Sequence, residues 1–560
     1  MRDILPLNRK DRHTVTSKPL EIEALQKEPF VKRLAGYAKM TGPGWLQAAV
    51  TLGGGSLAGA LYLGVIAGYS LMWLQPLAML CGVIMLIALA HVTLSSSDYP
   101  FDSVKRSISP LLAWGWLIAT IIADVVFCTA QSSLGVATLQ QNLGLGGVNP
   151  YIITSGLSLI AFVSACLYAM GNNAVAKLEL ILKVLVAMVI LSFAASAGVL
   201  LFSGKVDLSA LFIGFIPNPK SLFQPAASLE PLITATGAAA DYWSNYIADI
   251  QRSRIIAAFG SAVGINMTFL LPYTLIKRGW SKKHRELSRF DLVLGLFLPF
   301  SIATALLVIS SAAAFHGQDA DVLDADGKPY PSLASGYYSI LDARLIDAGT
   351  ISENPEALRA AADALPIAER RLAGALVNRD AKQLSTTLSP LMGDKVADLV
   401  FGVGILAMAL STMMVHMLMN GFAISQAVGR PGAVKPFIVG AAMPALLAVF
   451  APLAWTGDAK TALLIPAAVI ATVFLPIAYL AILLLMNSKS ILAKEDRASP
   501  LMNISMVLAA GIATFASVWL LSNKGVTGII GIIGLLLLAA IGVAGFFKNQ
   551  RTPCKNEPVN

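Results

Sequence analysis

Long apolar segments separated by short polar ones recur along most of the chain. Twelve of them reach the length of about 20 residues that an α-helix needs to cross a bilayer. They fall at 43–68, 70–95, 111–137, 150–170, 175–202, 255–277, 290–315, 397–425, 436–455, 461–487, 500–522 and 526–547. This pattern predicts an all-α polytopic membrane protein with about twelve transmembrane helices.

The first apolar segment is interrupted by three consecutive glycines, Gly53, Gly54 and Gly55. Glycine costs a helix interior about 1 kcal/mol relative to alanine, and in hydrocarbon an unwound backbone is tolerated only where it is buried in protein or lines a cavity. Close helix packing also uses small residues, but at a spacing of four rather than in succession. The triplet therefore predicts a broken helix beside a cavity, and a left-handed backbone at the glycines if their N–H groups receive a carboxylate.

The sixth segment has a matching interruption. Gly264, Asn266 and Thr268 place small and polar groups at its centre, and Pro272 removes a backbone hydrogen bond one turn later. The first ten segments thus form two halves of five, and each half begins with a broken segment. Because five is an odd number, the two halves must be inverted relative to each other in the membrane. We therefore expect the 5+5 inverted-repeat transporter fold, with helices 1 and 6 discontinuous.

Composition and charge support a membrane protein. Hydrophobic residues make up 56% of the 560 residues and charged residues only 13%, against about a quarter charged in soluble proteins. The net charge of +9 is concentrated in short loops beside the apolar segments, as orientation signals are, so the expected partner is the lipid bilayer and not nucleic acid. The basic loops predict a multi-pass protein of the cell (inner) membrane with a cytoplasmic N-terminus.

Two polar inserts, 204–254 and 316–398, interrupt the series of apolar segments. The acidic run Asp319–Asp326 within the second insert fails the EF-hand pattern, and we expect a solvated loop there. The aromatic residues of 240–254, including Trp243, are expected at the membrane interface. The predicted units are a cytoplasmic segment 1–42, a first repeat 43–203, an extracytoplasmic connector 204–254, a second repeat 255–487 with an extracytoplasmic insert 316–398, two additional spans 500–547, and a cytoplasmic tail 548–560.

Five short motifs stand in or beside the apolar segments: Gly42-Pro-Gly-Trp-Leu46, Ala67-Gly-Tyr-Ser-Leu-Met-Trp73, Ile122-Ala-Asp124, Lys177-Leu-Glu179 and Phe474-Leu-Pro-Ile-Ala478. Together they resemble the Nramp family of proton-coupled divalent-metal transporters. The resemblance covers roughly 40–490. It implies the fold of sodium-coupled amino-acid symporters, alternating access, and a place for Asp124 in the proton route.

The chain departs from that family at the metal site. Where the family has Asp-Pro-Gly-Asn in its first helix, this chain has Gly53-Gly-Gly-Ser56, so the carboxylate and amide ligands are missing. Asn266, Met267 and Thr268 stand near the position of the family's Met-Pro-His motif, in an uncertain register. Without a carboxylate the site has little to hold a bare transition-metal ion, so free Mn²⁺ and Cd²⁺ should bind weakly.

A glycine-lined, uncharged site suits two kinds of cargo. Backbone N–H groups at a half-helix N-terminus can receive a carboxylate, whereas Mg²⁺ keeps several waters and takes oxygen ligands. We therefore expect a proton-coupled importer of a Mg²⁺ complex with a carboxylate such as citrate; the alternative is a bare hydrated cation, Mg²⁺ or Mn²⁺. No resident cofactor or protein-held metal is expected. The predicted substrate-binding residues are Thr51, Gly53, Gly54, Gly55, Ser56, Asn266, Met267 and Thr268.

Ionisable residues inside apolar segments are the candidates for proton coupling. Asp124 lies within an apolar run, and intramembrane acids are costly and usually functional. His416 and His91 could shuttle protons near neutral pH, although a structural role bonded to a neighbouring helix stays open for both.

Other classes of protein remain as alternatives. A channel would need a polar ring or carbonyl filter repeated by symmetry, which two broken helices do not supply. A membrane sensor or enzyme would need a soluble signalling domain or a constellation of nucleophile and base. Because no such motif stands out, we do not expect an enzyme.

Overall fold

The computed structural model describes residues 22–170, 172–349, 354–379, 381–386, 389, 393–454 and 464–549, and these are almost entirely helical. The helices of the first half are α1 (Phe30–Met40), α2 (Pro43–Thr51), α3 (Gly54–Ala67), α4 (Leu74–Ser96), α5 (Pro100–Ser107), α6 (Pro110–Gln141), α7 (Pro150–Met170), α8 (Asn172–Phe202), α9 (Leu208–Ile213) and α10 (Glu230–Thr234). Those that follow are α11 (Ala240–Ala262), α12 (Met267–Lys277), α13 (Arg285–Leu292), α14 (Leu298–Phe315), α15 (Pro331–Asp347), α16 (Pro355–Asp363), α17 (Ile367–Leu376), α18 (Ala381–Ser385), α19 (Asp394–Ala427), α20 (Val434–Val449), α21 (Ala451–Ala454), α22 (Leu464–Leu485), α23 (Pro500–Ser522) and α24 (Gly525–Asn549).

The apolar segments predicted from the sequence coincide with helices. In the described ranges, nine helices are long and apolar enough to cross a membrane, and the bent pair α2 and α3 makes ten. Two shorter apolar helices, Val186–Phe202 and Val434–Val449, correspond to the remaining two segments. The N-terminal 21 residues and most of the predicted tail lie outside the described residues, as do the side chains of Lys177 and Glu179.

The first broken helix has its interruption where the glycines predicted it. Helices α2 and α3 meet at an angle of 55°, and Gly53 between them is extended, with φ −95° and ψ −179°. Gly54 and Gly55 are already the first residues of α3, and none of the three glycines has a positive φ. The expectation of left-handed backbone was therefore wrong, because a single extended residue suffices to separate the two half-helices.

The second broken helix is longer than predicted. Helix α11 begins at Ala240 rather than at residue 255, and ends at Ala262 before the extended Val263. The polar residues in its first turns, which argued for a separate surface helix, are satisfied by tertiary contacts. Trp243 is fully buried and donates from Nε1 to Glu369 Oε2 at 2.9 Å, so its side chain packs against the insert and is not exposed to lipid.

The insert between α14 and α19 folds over one end of the helix bundle. Arg379 is buried and donates to both carboxylate oxygens of Asp321 at 2.7 and 2.9 Å. His316 Nδ1 lies 2.8 Å from the carbonyl oxygen of Val65, near the end of α3. The Arg379–Asp321 pair thus holds the insert together internally, and the contact of His316 with Val65 attaches the insert to the broken first helix.

The opposite end of the bundle, here named the N-terminal face, is formed by α1, α13 and the loop around Asp496. Asp291 in α13 accepts backbone hydrogen bonds from Gly42 N at 2.8 Å and Gly44 N at 2.6 Å. A Cβ atom on Gly44 would lie 2.2 Å from the carbonyl oxygen of Asp291. The start of α2 is therefore held by a buried acid at a close approach that only glycine permits.

Candidate functional site

A small cavity of about 20 Å³ lies where the two broken helices face each other. Its wall combines both breaks with residues of α6 and α19. The predicted site residues that line it are Thr51, Gly53, Gly55, Ser56, Asn266, Met267 and His416. The structure therefore brings residues from both predicted interruptions together around one cavity.

Hydrogen bonds to freed backbone groups fix the shape of the first break. Gly54 N donates to Gln131 Oε1 at 3.1 Å, and Thr412 Oγ1 donates to the carbonyl oxygen of Ala49 at 3.1 Å. Ser56 Oγ donates to the carbonyl oxygen of Thr51 and lies 3.3 Å from that of Ser261 in α11. Side chains of α6 and α19 thus satisfy groups that the interrupted helix leaves free, as buried backbone requires.

A buried polar cluster of Asp124, Asn266 and His416 lies beside the cavity. Asn266 Nδ2 donates to Asp124 Oδ1 at 2.9 Å and lies 3.0 Å from His416 Nδ1. His416 Nδ1 is also 3.0 Å from Asp124 Oδ1, and Phe127 stacks on the imidazole at 5.3 Å between ring centroids. A carboxyl and an imidazole at this distance can hold a proton between them, next to the cavity that both broken helices line.

One oxygen of this cluster is unsatisfied. Asp124 is fully buried, and its Oδ2 atom has no hydrogen-bond partner among the described residues. A buried carboxylate oxygen without a partner is costly and calls for a proton, a water molecule or an ion. This oxygen is therefore available to bind a proton beside the cavity.

Three predicted residues lie away from the central cavity. Thr268 accepts from Trp116 Nε1 at 2.9 Å and lines a neighbouring cavity. His91 Nε2 lies 2.8 Å from the carbonyl oxygen of Asp496 at the N-terminal face. Gly54 contributes its N–H to Gln131 and not to the cavity wall.

Other residues of the site carried only a weak signal in the sequence. Phe127 and Ser261 line the cavity, but an aromatic and a serine in apolar helices are ordinary core residues. Asp291, which holds the first half-helix, could have been found as an acid at the edge of an apolar segment. The contact of Asp291 with Gly44 could not have been predicted, because 247 residues separate the two.

The donor set of the cavity is rich in neutral oxygen and poor in charge. Hydroxyl, amide and backbone oxygens surround it, with the thioether of Met267 and the imidazole of His416 on its wall. In the part of the chain that the structure describes, no group of three or more His, Cys, Asp or Glu side chains is placed to hold a metal ion. The cavity thus differs from a closed transition-metal site, which such ligands would build.

Two discontinuous helices that meet at a polar cavity inside an apolar helical bundle define a membrane transporter of the inverted-repeat class. The chain belongs to the Natural resistance-associated macrophage protein-like (Nramp) family, whose sequence model matches residues 44–328 and 359–523. The resemblance seen in the sequence is confirmed. Members of this family are transporters rather than enzymes.

Known proteins similar to this chain agree with that assignment. Metal transporter Nramp2 of Populus trichocarpa is 31% identical over 175 residues, which are 31% of this chain and 32% of that protein. Metal transporter Nramp2 of Oryza sativa subsp. japonica is 29% identical over 175 residues, 31% of this chain and 33% of that protein. The chain thus matches about a third of the length of these relatives.

A solved structure shows the same fold over almost the whole chain. A manganese transporter of Eremococcus coleocola superposes with a TM-score of 0.56 at 15% sequence identity, covering 93% of this chain and 97% of that one. The all-helical inverted-repeat fold expected from the sequence is confirmed.

Proposed function

We propose that this protein is a proton-coupled secondary transporter of a divalent cation, which passes through the central cavity with oxygen ligands and part of its water shell. The observation that carries the proposal is the position of the buried Asp124–His416 pair, 3.0 Å apart, beside a cavity built by both broken helices. Mg²⁺ is the favoured ion, because it takes oxygen ligands and keeps several waters.

Mn²⁺ is the second candidate, and one observation favours it. Met267 lies on the cavity wall, and a thioether is a soft ligand that suits transition metals better than Mg²⁺. The relatives named above are metal transporters, and the structural neighbour is a manganese transporter. Met267→Leu keeps the volume and removes the sulfur, so it should lower Mn²⁺ uptake and leave Mg²⁺ uptake unchanged.

A magnesium–citrate complex, the substrate expected from the glycine triplet, has less support. That expectation needs free backbone N–H groups at the start of α3, but Gly54 N already donates to Gln131. One of the backbone N–H groups that would bind a carboxylate therefore already donates to a side chain of the protein itself. Transport of the cation without an organic acid agrees better with this geometry.

The side that faces the cytoplasm is part of the proposal. The N-terminal face carries the basic loop with Lys282, Lys283 and Arg285, and basic loops remain in the cytoplasm. We therefore assign the N-terminal face to the cytoplasm of a cell-membrane protein and the insert to the outside.

The proposal is tested in proteoliposomes that contain a pH-sensitive dye. Mg²⁺, Mn²⁺ and Mg²⁺ with labelled citrate are supplied outside, and both cation entry and lumenal acidification are recorded. We expect cation entry accompanied by acidification, without entry of the citrate label. Entry of citrate in proportion to Mg²⁺ would restore the complex as the cargo, and no cation entry above protein-free liposomes would refute the transport function.

A further inference from the structure

A second cavity lies between the central cavity and the N-terminal face. This inner cavity has a volume of only about 10 Å³ and is lined by residues of α5, α6, α12 and α19, among them Thr268, Pro272 and Gln426. It begins one residue beyond the central cavity, since Met267 lines the central cavity and Thr268 the inner one. The hydrogen bond from Trp116 Nε1 to Thr268 Oγ1 stands between them.

An open vestibule of about 550 Å³ lies on the other side of the inner cavity. Its wall includes Asp98, Asp102 and Lys105, and Tyr99 lines both the vestibule and the inner cavity. Central cavity, inner cavity and vestibule therefore follow one another towards the N-terminal face. Such a series is what a substrate leaving the site would need.

Three polar side chains from three different elements close the inner cavity against the vestibule. Gln426 Nε2 of α19 donates to Asp102 Oδ2 of α5 at 2.5 Å, and Tyr273 OH of α12 donates to Gln426 Oε1. Gln426 lines the inner cavity and Asp102 the vestibule, so their hydrogen bond crosses the wall between the two spaces. These three residues are named the latch.

Aromatic rings reinforce the latch. The ring of Tyr273 lies between those of Tyr99 and Phe422, with centroid distances of 4.4 Å on each side. Gln426 is buried, and its bond to the Asp102 carboxylate is charge-assisted and hence stronger than a neutral one. The latch joins the second half of broken helix 6 to α5 and α19, which must separate if the half-helix moves.

We infer that the substrate leaves the central cavity through the inner cavity and the vestibule, and that the latch of Tyr273, Gln426 and Asp102 is the gate on this route. The inference rests on the proposed transport function, because a gate presupposes a transported substrate. The test of the gate does not depend on transport. Opening of the latch exposes the inner cavity to solution whether or not an ion is carried. The three residues gate the route and need not bind the ion at the central site.

The test measures access to the inner cavity in the full-length protein. Phe269, which lines that cavity, is replaced by cysteine in a background without Cys81, Cys128, Cys166 and Cys554, and a membrane-impermeant maleimide is applied from the N-terminal face. Gln426→Leu keeps the volume of the side chain but removes both latch bonds, and Tyr273→Phe keeps the ring and removes only the hydroxyl. The control is Ser425→Ala, because Ser425 Oγ donates to Gly421 O within its own helix.

We expect Tyr273→Phe to accelerate labelling by up to about tenfold, the factor given by loss of one buried hydrogen bond, and Gln426→Leu, which removes both latch bonds, to accelerate it more. Asp102→Asn, which keeps an oxygen acceptor but loses the charge, should give a smaller increase, and Ser425→Ala none. Unchanged labelling in a Tyr273→Phe protein with the parental melting temperature would overturn the gate. So would rapid labelling of the parent, or an equal acceleration by Ser425→Ala. Cation uptake is recorded separately, so a failed latch and a failed transport function are distinguishable.

Discussion

At the scale of single residues, the Asp124 carboxyl is the group on which proton coupling depends. Asp124→Asn keeps the size of the side chain and an acceptor for Asn266, but it removes the charge and the proton-binding oxygen that has no partner. We expect cation binding to remain measurable and cation-driven acidification of the liposome lumen to be lost, because intramembrane acids carry proton relays.

The matched control for Asp124→Asn lies on the same helix. Thr129 Oγ1 donates to the carbonyl oxygen of Val125 within α6, and Thr129→Ser preserves that bond, so acidification should be unaffected. Acidification at the parental rate in Asp124→Asn would contradict the assignment of the proton route to this carboxyl.

The glycines of the first break differ in what an added methyl group would meet. A Cβ on Gly53 would lie 2.7 Å from Thr412 Oγ1 and 2.9 Å from the carbonyl oxygen of Val50, whereas a Cβ on Gly55 has only Phe127 in contact, at 3.5 Å. Gly53→Ala should therefore lower the melting temperature. Gly55→Ala should fold normally and lose uptake, because its methyl enters the cavity. Melting temperature and cation uptake of each variant check this, and equal melting temperatures would show that the Gly53 site relaxes.

The residues of the site could be predicted individually but not as a cluster. Asp124, Asn266 and His416 each stood out as polar groups in apolar segments, because their burial is costly without partners. Their mutual contacts could not be predicted, since Asp124 and His416 are 292 residues apart and nothing local in the sequence specifies which helices become neighbours. The prediction of left-handed backbone at the glycine triplet failed for a related reason. The triplet shows that the helix breaks there, but it does not specify the backbone dihedral angles of the break.

At the scale of elements, the position of half-helix α2 depends on Asp291. Asp291→Ala leaves the N–H groups of Gly42 and Gly44 without their carboxylate acceptor, at a cost of roughly 3 kcal/mol for buried donors. We expect a lower melting temperature and faster amide hydrogen exchange at 42–46 than elsewhere in the bundle. Asp98→Asn, at a surface ion pair with Arg106, is the control that should leave exchange unchanged. Uniformly faster exchange would instead indicate a global loss of stability.

The boundary of α11 shows where hydropathy fails at this scale. The stretch 240–254, which includes the charged residues Asp241, Asp249, Arg252 and Arg254, was predicted to belong to the connector and not to the span. In the fold, Arg254 lies over the ring of Tyr62 at 5.0 Å, a cation–π contact that compensates for burial of the charge. Contacts with α3 and with the insert thus stabilise the polar first part of α11, which hydropathy alone does not predict as part of the span. The purely apolar spans could be predicted without knowledge of such contacts.

At the scale of the whole molecule, the two ends of the bundle are closed by different chemistry. On the insert side, Glu369 accepts from Trp243 Nε1 at 2.9 Å and from Arg344 Nε at 2.7 Å, which connects the insert to broken helix 6. On the N-terminal face, Asp496 connects the loop after α22 to the basic loop before α13. Alternating access requires that these two ends open in turn and never at the same time.

Asp496 gives this closure a defined pH dependence. Its carboxylate lies 2.7 Å from Lys282 Nζ and 2.8 Å from Arg285 Nη2. Burial acts to raise the pKa of the Asp496 carboxyl, but the hydrogen bonds from Lys282 and Arg285 outweigh it and hold that pKa below its usual 3.8. A carboxyl with a lowered folded-state pKa stabilises the fold above the unfolded-state pKa, and this stabilisation is lost as the pH falls through the folded-state value.

Asp496→Asn should therefore lower the melting temperature at neutral pH, and the difference from the parent should shrink only in strong acid. Thermal unfolding in detergent from about pH 3 to about pH 7 measures this. Glu495→Gln is the matched control, because Glu495 is exposed and lies 3.6 Å from Lys282, and exposed pairs of this kind stabilise by at most about 1 kcal/mol. If Asp496→Asn melts like the Glu495→Gln control at neutral pH, the ion pairs do not hold the N-terminal face closed, and closure at that end would depend on the Tyr273–Gln426–Asp102 latch.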